Sequence, residues 1–277
     1  MIKMIATDLD NTALLDGMLT KENEKAIKKA IDSGIEFVVA TGRGLSGIPK
    51  EVRNINKIRY AITSNGASIY DLLNEEILSR FTLSPESVKK LLKIGHKYNA
   101  TYEIFVDGKA YVSEEYYENP DAFGMSKNLL GYIKSTRIPV KDIDKFIYEN
   151  NDKIENFAFV VKSMDIHETV EKESRKNCPD VYITSTDPWW VEVMSINAGK
   201  GKAVLYLADY LKINTSDVAT FGDGDNDVEM LEIAGLSFAV ANASDKAKKA
   251  ADQITSSVSE DGLACGIYEI ITKNSCL

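Results

Sequence analysis

The chain has 277 residues, 44% of them hydrophobic and 27% charged, a balance that suits a folded globular protein and excludes a disordered one. Lys and Arg total 33 against 42 Asp and Glu, so the net charge of -9 repels polyanions and argues against nucleic acid as a partner. No apolar run approaches the roughly 18 residues of a membrane span. The start MIKMIATDLD runs straight into acidic residues, unlike a signal peptide, so the expected location is cytoplasmic.

In chain order, KMIATD reads as an apolar strand, and TKENEKAIKKAIDSG as a helix with Thr20 at its N-cap and Gly34 just past its end. IEFVVATG then has the continuous apolar texture of a strand buried on both faces of a parallel sheet, which completes a βαβ unit. YAITSNGASIY reads as one further strand with a turn at Ser64, Asn65 and Gly66. At about residue 83 the texture changes. Ser84 and Pro85 open a helix, and TYEIFVDGKAYV predicts a hairpin about Asp107-Gly108. Two helix-like segments, a strand at ENFAFVVK, a helix at IHETVEKESRKN and a strand pair across VYITSTDPWWVEVM follow. After these, KAVLYLADYL (helix), DVATFGDG (strand and loop), EMLEIAG (helix) and LSFAVAN (strand) restore the parallel-sheet texture. The expectation is an α/β fold: a doubly wound, Rossmann-like parallel-sheet core over 1–82 and 190–277, with an inserted α+β cap over 83–189.

Cys178, Cys265 and Cys276 have no CxxC spacing, and His96 and His167 are the only histidines, so neither a disulfide framework nor a zinc site is suggested. The acidic residues are more informative. Asp8, Asp10, Asn11 and Thr12 sit where the first strand ends, in the crevice position of a doubly wound sheet. Carboxylates crowded there call for a cation, and Mg2+ suits hard oxygen ligands beside a phosphate. Asp and Thr at such a point can also simply start a turn or cap a helix. A second cluster, Gly222-Asp223-Gly224-Asp225-Asn226-Asp227, follows another buried strand. It lacks the glutamate that closes an EF-hand loop, and its flanks are strand and helix. Thr41-Gly42-Arg43 and Gly199-Lys200-Gly201-Lys202 lie between the clusters. A hydroxyl beside free amides and a lysine at a helix start suit phosphoryl oxygens, although either can also be an ordinary turn or a solvated charge.

Taken in order, these segments give the chain a family likeness. It resembles the haloacid dehalogenase superfamily, in particular the Cof-type phosphatases with a large, C2B-like α/β cap. DLDNT matches the nucleophile motif DxDxT, ATGR the threonine motif, KGKAV the lysine motif and GDGDNDVEM the closing GDxxND motif. SNGA and the tail from AVANAS to LACGI match as well. The resemblance implies Asp8 as nucleophile and metal ligand, and Asp10 as general acid and base whose backbone carbonyl also meets the metal. It implies Asp223 as a metal ligand, Asp227 as support for the metal water and the lysine, and Thr41 with Lys200 as the phosphate-holding pair. Asn226, Gly42 and Asn65 would contact substrate. Asn11 stands where many relatives have Gly and Ala13 where Leu is frequent, departures that touch loop geometry without removing a functional group.

The implied reaction is Mg2+-dependent hydrolysis of a small phosphorylated metabolite, a sugar phosphate or similar phosphomonoester, through an aspartyl phosphate. A sugar phosphomutase and a noncatalytic phosphometabolite-binding protein are the rival readings. Asp10 argues against the latter and against carbon–halogen cleavage, since neither needs an acid for a leaving group. Tyr116, Tyr117, Phe123, Met125 and Trp189 are either cap core or substrate contacts. The sequence names neither the substrate nor the oligomeric state.

Overall fold

The computed structural model describes residues 1–125, 127–185 and 189–276. The chain divides into two compact units, one of Met1–Gly42, Ile48–Ser79 and Gly199–Leu277, the other of Arg43–Gly47 and Arg80–Ala198.

The first unit is built on an eight-stranded sheet in the order Gln253–Ile254, Leu236–Ala239, Val218–Gly222, Met4–Thr7, Glu36–Ala40, Tyr60–Thr63, Ser68–Asp71, Glu76–Arg80. From Gln253–Ile254 to Tyr60–Thr63 neighbours pair parallel, as the near-continuous apolar runs require; Ser68–Asp71 then turns back antiparallel. YAITSNGASIY is therefore two strands. Its turn has Ser64 at φ 50, Asn65 at φ 52 and Gly66 at φ 89, which reverses the chain at the polar Ser-Asn-Gly step.

Both faces of this sheet are covered. Met4, Ala6, Val38, Ala40 and Ile62 pack with Ala203, Val204 and Leu207 of the helix Lys200–Tyr210. On the other face Phe221 and Phe238 stack at 4.8 Å, and a Cβ on Gly266 of the helix Gly262–Ser275 would come within 2.4 Å of Phe221. Thr20 and Gly34 frame the helix Lys21–Asp32 as expected: the Thr20 side chain accepts from Asn23 N, and Gly34 takes φ 82. The strand order reverses at Met4–Thr7. Glu36–Ala40 lies on one side of that strand and Val218–Gly222 on the other, so a crevice opens outside their carboxyl ends.

The second unit carries a six-stranded sheet ordered Arg137–Val140, Lys109–Ser113, Thr101–Val106, Ile154–Val160, Trp190–Ser195, Val181–Thr184. Pairing is antiparallel except between Arg137–Val140 and Lys109–Ser113. The hairpin at Asp107 and Gly108 has positive φ at both residues, as a tight two-residue turn demands. Alternate residues Tyr102, Ile104, Phe157, Phe159, Val191 and Val193 pack in one apolar cluster with Val88, Leu91 and Val170 from the helices Pro85–Tyr98 and Met164–Asn177. Phe105, Ala158, Val160 and Trp190 belong to a second cluster with Tyr116 and Met125, against which Tyr117, Phe123 and Trp189 rest; these aromatics build the unit's own core.

The unit boundaries differ from the expected 83 and 189. Arg80 belongs with the insert because it pairs with Glu155 at 3.2 Å and Asp107 at 2.6 Å. Trp190–Ser195 pairs on both sides within the insert's sheet, which carries that unit on to Ala198. Arg43–Gly47 joins it too: Ser46 N donates to Gly108 O at 2.9 Å, and Arg43 lies over the Tyr132 ring at 4.7 Å. The expected strand pair across 181–194 is present, while residues 186–188 of its turn lie outside the described residues. Among the described residues no helix is long and apolar enough to cross a membrane.

Candidate active site

Asp8, Asp10, Thr41, Gly42, Asn65, Lys200, Asp223, Asn226 and Asp227 lie in the first unit, while Arg43 and the aromatic candidates Tyr116, Tyr117, Phe123 and Trp189, with Met125, belong to the second. Asp8 follows the strand Met4–Thr7, and its N–H donates to Phe221 O at 2.9 Å, which fixes it beside the loop that carries the second acidic cluster. Lys200 opens the helix Lys200–Tyr210. A cation at a helix N-terminus opposes the helix dipole, so it needs anionic partners. It has them: Nζ lies 2.6 Å from Asp8 Oδ1 and 2.6 Å from Asp227 Oδ1, with the lysine only 1% exposed. The glycines either side of Lys200 let its helix sit close to Glu229, which a Cβ at Gly201 would meet at 2.4 Å.

Asp227 is fully buried and spends its other oxygen on the loop, where Oδ2 accepts from Asp223 N and Gly224 N at 2.9 Å each. Gly222 is required here because a Cβ would stand 2.5 Å from Asp227 Cβ. Asp227 thus anchors both the lysine and the backbone of Asp223. Thr12 Oγ1 donates to Asp223 Oδ1 at 2.8 Å and ties the two acidic clusters together. Thr12 belongs to the site; the sequence placed it with Asp8 and Asp10 at the crevice but gave it no role of its own.

On the other flank, Thr41 O accepts from Asn65 N at 3.1 Å, and Asn226 Nδ2 donates to Asn65 Oδ1 at 2.9 Å. A Cβ on Gly42 would come within 3.1 Å of Asn65 Oδ1, so glycine lets this carboxamide in. Gly66 is held closer still, since its Cβ would lie 2.2 Å from Gly199 O just before Lys200. The fold therefore brings Thr41, Gly42, Asn65 and Asn226 into one polar wall, and Asp8, Lys200, Asp223 and Asp227 into another.

Asp8, Asp223 and Asp227 place one carboxylate oxygen each within 4.8 Å of one another. The Asp10 carboxylate lies outside that group. Burial pushes the Asp8 carboxyl well above its usual range; Lys200 pulls it down, while Asp227, Asp223 and Asp10 push it up. Burial, and next Asp227, raise Asp223 to about 6 against the hydrogen bond from Thr12. Lys200 is held above its ordinary value because Asp227 and Asp8 outweigh its burial. At Asp8, burial and the neighbouring carboxylates outweigh the pull of Lys200, whereas at Lys200 the carboxylates outweigh burial. The surplus of negative charge is what a divalent cation would neutralise, so the donor set fits a hard metal ion.

A family profile described as haloacid dehalogenase-like hydrolase matches residues 5–267. The 5-amino-6-(5-phospho-D-ribitylamino)uracil phosphatase YcsE of Bacillus subtilis (strain 168) is 30% identical over 267 residues, which cover 96% of this chain and 94% of YcsE. YwtE of the same strain, named as the same phosphatase, is 27% identical, with 98% and 99% of the two chains covered. A solved haloacid dehalogenase-like hydrolase from B. subtilis superposes with a TM-score of 0.85 at 26% identity, over 96% of this chain and 99% of that one. The chain belongs to the haloacid dehalogenase-like hydrolases, among their Cof-type phosphatases.

Proposed function

We propose that the protein hydrolyses a small phosphorylated metabolite, a sugar phosphate or similar phosphomonoester, with Mg2+ as cofactor and an aspartyl phosphate on Asp8 as intermediate. The observation that carries this reading is Lys200, buried and bridging Asp8 and Asp227 at 2.6 Å, with Asp223 tied to the Asp8 loop through Thr12. An Asp8 oxygen attacks phosphorus in line, and the P–O bond to the alcohol breaks. Lys200, Thr41, Asn65 and Asn226 receive the phosphoryl oxygens, and Lys200 offsets their charge. Asp10 gives its proton to the departing oxygen, then takes one from the water that attacks the aspartyl phosphate and releases inorganic phosphate. Mg2+ would be held by Asp8 and Asp223 with the Asp10 carbonyl, supported by Asp227, and would supply positive charge to the phosphoryl group.

The unit Arg80–Ala198, with Arg43–Gly47, is the cap that selects the leaving group, and the rest of the chain is the hydrolase core. The names of YcsE and YwtE favour a phosphorylated polyol or sugar as the substrate class. The acidic charge and free cysteines suit a cytoplasmic location.

The test is phosphate release with Mg2+ across sugar and polyol phosphates, nucleotides, flavin mononucleotide and pyridoxal phosphate. Selective release from one class supports the reading. Isomerisation of a hexose phosphate without phosphate release would show a mutase instead.

A further inference from the structure

We propose that Asn242 and Asn23 are positioning residues that clamp the loop carrying Asp10, and so set the placement of the general acid; this rests on the role given to Asp10 above. The loop is a tight turn in which Leu9 O accepts from Ala13 N at 2.9 Å and Leu14 N at 2.7 Å, with Asn11 at φ 57. Immediately after Asp10, three successive residues are tied outward. Asn242 Nδ2 donates to Asn11 O at 2.9 Å, Thr12 donates to Asp223, and Asn23 Nδ2 donates to Ala13 O at 3.0 Å.

Each carboxamide uses its other end on the C-terminal segment. Asn242 Oδ1 accepts from Val258 N at 2.7 Å, and Asn23 Oδ1 accepts from Ala264 N at 3.0 Å. A backbone carbonyl faces one end of each amide and a backbone N–H the other, so the orientation of both amides is fixed by their partners. Two side chains far apart in sequence thus perform the same bridge, from the Asp10 loop to residues 258–264.

The clamps act on Asp10 more than on Asp8. Asp8 is held by the neighbouring strand Val218–Gly222, through Phe221 O, and by Lys200. Asp10 lies between the turn at Leu9 and the clamped carbonyl of Asn11, and its β-bridge is to Leu14 of the same turn, so its backbone moves with the clamped loop. Loosening the clamp should weaken proton donation while leaving the nucleophile in place.

Asn242→Asp is the variant of choice: Asn242 is exposed, and a carboxylate keeps the acceptor for Val258 N while removing the donor to Asn11 O. Asn23 is fully buried, so its variants are subject to misfolding and are secondary. The measurement is kcat/KM for 4-nitrophenyl, phenyl and alkyl phosphates, which reports the step in which the leaving group departs. Asn242→Asp should lose about tenfold on the alkyl and phenyl esters and less than about twofold on the 4-nitrophenyl ester, whose good leaving group needs little acid. Asp10→Asn is the control and should show the same bias more strongly. An equal effect of Asn242→Asp on all esters, or none, overturns the clamp alone when Asp10→Asn is biased. An unbiased Asp10→Asn overturns the reading of Asp10 and the clamp with it.

Discussion

Replacing Lys200 with methionine isolates the electrostatics of the site with little change in volume. The ammonium it removes stands 2.6 Å from carboxylates of Asp8 and Asp227 in a fully enclosed position. Removing one partner of a buried ion pair costs about 3–5 kcal/mol, because the other charge stays behind uncompensated. Here Asp8 and Asp227 both stay behind, with Asp223 beside them. Asp8 and Asp223 limit the loss by taking up protons: Asp8 is already raised well above its usual range, and Asp223 sits at about 6, with the lysine present. A folded-state pKa above the unfolded value means that the native state binds more protons than the unfolded one. The variant should therefore gain stability relative to the parent as pH falls from 8 towards 5.5. Urea unfolding followed by circular dichroism, in chelator, should show Lys200→Met less stable by about 3–5 kcal/mol at pH 8, with the gap narrowing at pH 5.5. Added MgCl2 should stabilise the variant more than the parent. A loss under about 1 kcal/mol at pH 8, or a gap independent of pH, would refute the picture of one ammonium holding crowded carboxylates.

Chelation should abolish turnover, Mg2+ should restore it, and Ca2+ should inhibit, since its looser coordination shell does not hold the in-line geometry. Asp223→Ala should raise the Mg2+ concentration for half-activation by more than about tenfold with a near-parental melting curve, measured by activity titration and calorimetry. Away from the site, Asp71 is 1% exposed and held below the usual carboxylate range, chiefly by Arg59, whose Nη2 lies 2.6 Å away. Its stabilisation is present above the unfolded carboxylate pKa and is lost as pH falls through its own lower value. Asp71→Asn should thus be less stable than the parent at pH 7, and urea melts should show that difference disappear towards pH 2.

The parts of the site that the sequence revealed are those announced by local chemistry. Asp8 and Asp223 follow apolar strands, Lys200 sits between glycines at a helix start, and the parallel order brings these points to one crevice. Contacts made through distant partners carry no such mark. Asn23 reads as one more polar helix residue, yet it is fully buried because Ala13 O and Ala264 N need it. Asn242 reads as part of a loop, and its bond to Asn11 O spans 231 positions. The turn at Ser64–Gly66 was legible in the polar SNG, but that it folds Ser68–Asp71 back as a second, antiparallel strand was not, because so short a strand has no texture of its own. The short strands Leu14–Leu15 and Met18–Leu19 are too brief to show a period. The expected bound at 189 cuts through the strand pair read across VYITSTDPWWVEVM, and the pairing of Trp190–Ser195 with Val181–Thr184 and Ile154–Val160 carries the second unit on to Ala198.

The central claim is that Asp8 carries the phosphoryl group. Borohydride quenching during turnover of a good substrate with Mg2+, followed by peptide mass spectrometry, reads this directly, because reduction of an aspartyl phosphate converts that residue to homoserine. The account predicts homoserine at position 8, dependent on both substrate and metal and absent from Asp8→Asn. Conversion at position 10, or full turnover by Asp8→Asn, would contradict it.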